Sequence, residues 1–498
     1  MEIWMRCAQH RPKGEARGDA VKKPFLCAIA VRRNRYHFRK KDIAVRTKNP
    51  NMLQGPLLGS VIAYTIPIIL TSMLQLLFNA ADLMVVGRFC GSVSVAAVGV
   101  TGSLTNLMVN FFVGLSVGAG VTVAHGLGGR MDEAVHRTVH TALPVSLVCG
   151  GVLTVVGVGF SESFLAMMGT PAEVLPLSSI YVRIYFAGIT FTMVYNFCAA
   201  ILRAAGDTKS PLIFLTMAGI LNVVLNLFFV IGLHMNVAGV ALATILSQAT
   251  AAVLVVIALM RRRDACKLEL SKMRFYSIPI KQMLRIGLPA GIQSALFSIS
   301  NVIIQSSVNS FGSAVVSGGA ASSNIENFIY ASMNAFHQTA VNFTGQNLGA
   351  RQYGRIRKVL YVTLACVAVT GVVLSTAAIS AGRTLLGLYI TDSAEALEYG
   401  LIRLRWVASL YCICGMMDVT TGALRGMGES VVPMVISVLG ICGLRIGWIM
   451  TFFQIPAYHT PESLYVSYPI SWIITFACQF VAFQMVFRRA ETKDICSP

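Results

Sequence analysis

Two carboxylates, Asp82 and Asp418, lie inside apolar stretches long enough to cross a bilayer. A carboxylate at the centre of a membrane helix costs about 2.5–3.5 kcal/mol, tolerated where the group faces a bundle interior or a water-filled cavity. The chemistry such a group offers is reversible: it holds a proton, a metal cation or an organic cation, one in place of another. Asp82 is therefore read as a coupling residue, against the plainer reading of a buried acid satisfied by a neighbouring helix. For Asp418 the two readings weigh equally. Glu326, in "NIENFIYASMNAFHQ", is a third acid that lines a cavity or snorkels to an interface. His337 lies eleven residues further on, close to three helical turns and so on the same face. It offers a titratable ring, or equally a hydrogen-bonded structural one. For Arg445, in "CGLRIGW", an ion pair with an acid such as Asp418 is expected. Asn106, Asn110, Asn222 and Asn226 serve as helix glue as readily as they bind a ligand.

The elements that must position these groups are membrane helices. The 498 residues are 55% hydrophobic and 12% charged, with a mean hydropathy of +0.68, too apolar for a soluble chain of this length. Spans of about 20 residues are predicted near 57–80, 95–120, 138–160, 178–201, 211–233, 238–260, 283–308, 314–342, 359–381, 401–422, 431–453 and 465–487. The net charge of +19 does not imply nucleic acid, because 14 of the 40 Lys and Arg precede Asn51 and most others fall in alternate loops. Arg261, Arg262, Arg263, Lys267, Lys272, Arg274, Lys281 and Arg285 fill one such loop, while the opposite loops hold Arg88 and Arg383. This positive-inside pattern places both termini in the cytoplasm, which requires an even number of spans. The 12 cysteines form no disulfide framework, and no metal site or catalytic constellation is expected. No P-loop is present, so ATP hydrolysis by this chain is not expected.

The chain repeats itself. "LRAAGDTKSP" at Leu202–Pro211 matches "LRGMGESVVP" at Leu424–Pro433. At one constant offset, Arg203, Gly206, Asp207 and Pro211 map onto Arg425, Gly428, Glu429 and Pro433. Pro67 maps onto Pro289 at the same offset, and Gly91 and Gly128 map onto Gly312 and Gly349 one position short of it. The offset covers six spans, so the repeat is parallel and its axis runs along the membrane normal. The organisation this predicts is a basic tail (1–51), a six-helix bundle (52–260), a basic linker (261–282), a second bundle (283–488) and a short tail (489–498). The fold class is all-α integral membrane: twelve helices in two pseudo-symmetric bundles around a central cavity. Gly206 and Gly428 are read as helix-ending turn residues, Pro211 and Pro433 as first-turn residues, and Arg203 and Arg425 as structural residues that bond the last helix carbonyls or pair with Asp207 and Glu429.

These motifs carry a resemblance. "MLQGPLLGSVIAYTIPIILTSMLQLLFNAADLMVVGRFCG", "LRAAGDTKSP", "LNVVLNLFFV", "FTGQNLGAR" and "LRGMGESVVP" resemble the multidrug and toxic compound extrusion (MATE) family of bacterial type, over about residues 52–488. The resemblance implies a twelve-helix exporter of organic, often cationic, compounds, driven by inward flow of H+ or Na+ and lacking any cofactor. Asp82 matches the family's first-helix acid, implicated in cation coupling. Asn222 matches the first of two polar positions on the fifth helix. The second, often an Asp, is here Asn226, which cannot take up a proton. The seventh-helix acid of some relatives is Phe297 here, with Gln293 and Asn301 nearby. Asp418 resembles a tenth-helix acid. Asp82, Asn222 and Asn226 are thus the candidate coupling set, and Asp418, Glu326, Gln293, Asn301 and His337 the candidate cavity residues. The expected partners are organic cations and membrane lipids, the expected state is a monomer, and the expected location is the inner (plasma) membrane. Two rivals stand beside this reading: a flippase for lipid-linked precursors from the same superfamily, and an integral membrane lipid transferase.

Overall fold

A computed structural model describes residues 51–390 and 393–495. The basic tail before Asn51 and the last three residues lie outside the described residues. The N-half comprises α1 (Leu57–Phe89), α2 (Ser92–Gly128), α3 (Asp132–Met167), α4 (Leu175–Ala187), α5 (Ile189–Ala204), α6 (Lys209–Leu227) and α7 (Asn236–Met260). The C-half comprises α8 (Ser277–Asn309), α9 (Ser313–Gly349), α10 (Tyr353–Ser380), α11 (Gly382–Gly387), α12 (Ala394–Ala408), α13 (Tyr411–Gly426), α14 (Val431–Ser437), α15 (Leu444–Met450) and α16 (Pro461–Ile495). π-helical turns extend α6 through Phe228–Gly232 and join α14 to α15 through Val438–Gly443.

Among the described residues, nine helices are long and apolar enough to cross a membrane, and up to eleven if each of two bent pairs is one span. The bent pairs are α4–α5, at 47°, and α12–α13, at 45°. The remaining expected span, 314–342, corresponds to α9. It has 37 residues, ample length at about 1.5 Å per residue, but its Ser, Asn, Glu and His side chains dilute its apolarity. They are tolerated because Glu326, His337, Asn342 and Asn347 are buried inside protein. Helix ends also run past their expected limits: α1 reaches Phe89 and so includes Asp82, α8 starts at Ser277, and α16 continues to Ile495.

The internal repeat is written into the backbone. Arg130 and Arg351 both adopt positive φ, 53° and 56°, just after α2 and α9. Gly206 and Gly428, at 87° and 84°, end α5 and α13. There the amide of Asp207 closes onto the Leu202 carbonyl at 2.9 Å, and that of Glu429 onto the Leu424 carbonyl at 3.1 Å, so both turns share one helix-ending motif. Each half centres on its own apolar core, one from Leu104 to Leu268 that Met283 of α8 also joins, and one from Ala321 to Phe487.

The halves meet along two seams. Gly114 and Gly118 of α2 face Gly287 and Gly291 of α8, two small-xxx-small pairs that let the backbones touch. A Cβ at Gly118 would lie 2.2 Å from the Met283 carbonyl oxygen, and one at Gly291 2.2 Å from that of Phe111. The second seam packs Val61, Tyr64 and Ile68 of α1 against Ala335, Phe343 and Val359. Among the described residues, every hydrogen bond between the halves lies toward the end where α1 begins and α2 ends. These are Thr65–Thr339 at 2.8 Å, His125 Nε2–Gly426 O at 2.7 Å, Gln346 Nε2–Ala204 O at 2.7 Å, Asn347 Nδ2–Met52 O at 3.2 Å, and Arg355 to the carbonyls of Met52 and Gly55. Glycines tighten the same end: a Cβ at Gly349 would sit 2.1 Å from the His125 carbonyl oxygen.

The basic linker packs at this end too. Its Glu269 amide donates to His140 Nε2 at 3.0 Å, Thr141 Oγ1 donates to the Arg274 carbonyl at 3.2 Å, and Cys266 and Leu268 are buried. Burial pushes the Cys266 thiol up to about 12, so it is a packing residue rather than a reactive one. Lys272 and Lys267 hold Glu269 down to about 2.

Candidate functional site

Asp82 lies seven residues from the end of α1, about 10 Å from the end opposite the basic face. It is half-buried. Its Oδ1 accepts from Asn226 Nδ2 at 2.5 Å, and the same amide nitrogen reaches Asn222 Oδ1 at 3.3 Å. The structure thus brings together all three residues of the coupling set. The reason is helical: Asn222 and Asn226 are one turn apart on α6, and α6 packs along α1, where Gly219 accepts the Phe78 ring against its bare Cα. Tyr181 of α4 packs on the Val86, Val230 and Val240 cluster one turn further along, a neighbour the sequence did not single out.

Two details make this cluster chemically open. No cationic side chain pairs with Asp82 among the described residues, so its charge is met by the neutral Asn226 amide alone. Asn226 Oδ1 is buried beside it with no partner. A carboxylate oxygen and a spare carbonyl oxygen together suit a hard cation, which takes oxygen ligands. The carboxylate alone suits a proton or an organic ammonium.

The C-half candidates divide differently. Glu326 does not line an open cavity: both its oxygens are held by Arg403 at 3.0 Å, and Ser322 donates to it at 3.0 Å. Both partners of this pair are buried, and Arg403 also lies over the Tyr465 ring. Asp418, His337 and Gln293 gather around Arg425. The Arg425 Nη2 donates to Gln293 Oε1 at 2.9 Å, and its Nη1 approaches His337 Nε2 at 3.5 Å. His337 Nδ1 meets the Asp418 carbonyl at 2.7 Å. That carbonyl is an acceptor, so Nδ1 carries the ring proton and Nε2 is left to accept from the guanidinium. The Asp418 carboxylate itself makes no ion pair among the described residues, and its buried Oδ2 has no partner, so Arg425 is a neighbouring charge and not a clamp. Asn301 is exposed on α8 and belongs to neither cluster.

Two expectations are corrected. Arg445 does not pair with Asp418: its Nε donates to Ser471 Oγ at 3.0 Å, and its guanidinium stacks on Tyr468. The π turn Val438–Gly443 just before it and its packing on α16 decide where it points. Nor is Arg425 merely a partner of the turn it precedes, because its side chain runs into the C-half interior. The signal was present in the spacing of Gly422 and Gly426. Those two glycines let α13 lie against α9, where a Cβ at Gly422 would come within 2.6 Å of the His337 carbonyl oxygen. The partner expected for Arg425, Glu429, instead approaches Arg285 at 3.8 Å. Asp207, expected to pair with Arg203, caps α6 by accepting from the Ser210 amide at 3.0 Å.

Comparison with known proteins agrees with this architecture. The MatE family model matches twice, over residues 67–228 and 289–450, so the chain belongs to the MatE family of multidrug efflux transporters. The two matches begin at Pro67 and Pro289, the same pair of positions that the internal repeat relates. The chain is 25% identical to "Probable multidrug resistance protein YoeA" of Bacillus subtilis over 441 residues, 87% of this chain and 94% of that one. It is 21% identical to "Multidrug export protein MepA" of Staphylococcus aureus over 377 residues, 76% of this chain and 83% of that one. A solved structure of the outward-facing conformation of a multidrug resistance MATE family transporter of the MOP superfamily superposes with a TM-score of 0.83. It is 20% identical, and the match covers 90% of this chain and 99% of that one.

Proposed function

We propose that this chain is a secondary active exporter of organic cations in the plasma membrane, driven by entry of H+ or Na+ at Asp82. The observation that carries this reading is a half-buried carboxylate held only by the Asn226 amide. A proton, a sodium ion and an organic cation each satisfy it, and no two do so together, so occupancy by one expels another. Such exclusion is the minimum requirement of antiport.

The seams supply the alternation. By the positive-inside rule, the end bearing the linker faces the cytoplasm. The inter-half hydrogen bonds and glycine contacts then close the cytoplasmic end. At the other end, Asn106 and Asn110 of α2 and Asn301 and Gln305 of α8 are exposed. Amides at these depths favour water over lipid, which supports a cleft open to the outside in this conformation. Rocking the halves about the α2–α8 seam would open the opposite face. The flippase reading calls for several free guanidinium groups to grip phosphates, whereas Arg403 and Arg425 are already engaged within the C-half.

The test is transport in proteoliposomes. Uptake of tetramethylrhodamine methyl ester should require an imposed pH or sodium gradient, and collapsing one gradient at a time identifies the ion. Uptake indifferent to both gradients would remove the antiport reading.

A further inference from the structure

The charges inside the C-half do not balance. Glu326 is clamped by Arg403, and Arg425 is held by Gln293 and His337 beside Asp418, whereas Arg445 has neither a carboxylate within ion-pair distance nor a side-chain acceptor on its terminal nitrogens among the described residues. It is 5% exposed. Its one hydrogen bond is from Nε to Ser471, and the guanidinium lies 3.9 Å from the Tyr468 ring centroid and 5.7 Å from that of Trp472. Neither terminal nitrogen has a protein acceptor, and neither is among the buried atoms sealed off without one. An intramembrane guanidinium without a counter-charge marks a functional position by default. The irregular π turn immediately upstream is of the kind that accompanies such positions.

We infer that Arg445 is a binding site for an organic carboxylate, the acidic end of a zwitterionic substrate. This rests on the export reading and narrows its substrate class. Stacking on Tyr468 fixes the plane of the guanidinium and leaves its Nη edge free, the geometry that grips a carboxylate with two parallel hydrogen bonds. A single guanidinium with one free edge suits one carboxylate, whereas a polyanion such as pyrophosphate calls for several cationic groups. At the offset of the internal repeat, Arg445 corresponds to Val223, the neighbour of Asn222. The halves therefore carry unlike charges at matching depth, a carboxylate on one side and a guanidinium on the other. A solute bearing both an ammonium and a carboxylate can bridge them.

The experiment compares two probes on purified protein in lipid nanodiscs: tetramethylrhodamine, a zwitterion through its free carboxylate, and its methyl ester, a plain cation. Arg445→Gln should weaken the zwitterion by about tenfold or more, the scale of one charge-assisted bidentate contact, and change the ester by less than about twofold. Arg445→Lys should give an intermediate loss confined to the zwitterion. If Arg445→Gln fails to fold, Ser471→Ala, which frees the guanidinium to turn, should still weaken the zwitterion selectively. Equal weakening of both probes in these variants would show a purely structural arginine and overturn the proposal. Failure of ester transport in wild-type proteoliposomes would overturn the export reading instead, a result independent of the zwitterion-to-ester ratio.

Discussion

The two halves share a backbone and differ in how they treat buried charge. In the N-half, Asp82 is half-buried and answered by the amide of Asn226, which Asn222 holds in turn. In the C-half, Glu326 is clamped by Arg403, while Asp418 makes no ion pair among the described residues and leaves Oδ2 without a partner. Glu326, with its tethered guanidinium, is already neutralised and has little to exchange, whereas Asp82, held by a single amide, keeps its charge available; Asp418 lies between them, unpaired but enclosed beside Arg425. On the proposed reading the repeat is specialised, with ion exchange at Asp82 and a static ion pair at Glu326–Arg403.

The largest effect should come from removing the exchangeable charge. Asp82→Asn should lower ion-driven export of a cationic dye by about 100-fold, in keeping with a role that defaults to function for an intramembrane acid. Asp418→Asn should lower it by less than about tenfold. Transport in everted vesicles, normalised to inserted protein, ranks the two. Equal losses would dissolve the distinction between the halves.

Next comes the resident ion pair. Glu326→Gln leaves Arg403 buried and uncompensated and should cost about 3–5 kcal/mol of stability, while Glu326→Leu combined with Arg403→Met should recover most of it. Thermal unfolding of the detergent-solubilised variants checks this. A single mutant as stable as wild type would show that the pair is not static.

The shared hinge should respond to small volumes. Gly118→Ala places a methyl group 2.2 Å from the Met283 carbonyl oxygen, an overpacking of about 1–3 kcal/mol against the closed seam. The conformational population should shift toward opening of the basic end, read as a longer distance between spin labels on Glu133 and Glu429. The smallest effect is expected at the amide beside Asp82. Asn226→Ala removes one hydrogen bond, about 0.5–1.5 kcal/mol, and should raise the half-saturating ion concentration by up to about tenfold without abolishing transport.

The sequence made the spans and the repeat legible because run length and motif spacing are local properties. The helix α9 was found by its apolar stretch and its place in the repeat, although Glu326, His337, Asn342 and Asn347 make it less apolar than its neighbours. Asp82, Asn222 and Asn226 could be grouped because two of them are one turn apart and the third matched a family motif. Pairings between helices were harder to see. Glu326 and Arg403 are 77 residues apart, and nothing local announces that α9 and α12 turn these side chains toward each other. Arg445 was misassigned because its direction depends on the π turn Val438–Gly443, a one-residue departure from helical register that leaves no mark in hydropathy. Arg425 was read through the glycine turn that follows it, while the flanking Gly422 and Gly426, which bring α13 onto α9, carried the better clue.

The most direct measurement is ion release on substrate binding. Purified protein in nanodiscs is loaded at fixed pH and sodium, tetramethylrhodamine methyl ester is added, and released protons and sodium are counted with a pH dye and a sodium tracer. The account predicts about one ion equivalent released per bound cation in wild type and in Asp418→Asn, and none in Asp82→Asn. Release that survives in Asp82→Asn but disappears in Asp418→Asn would contradict it, and would place the exchange site in the C-half.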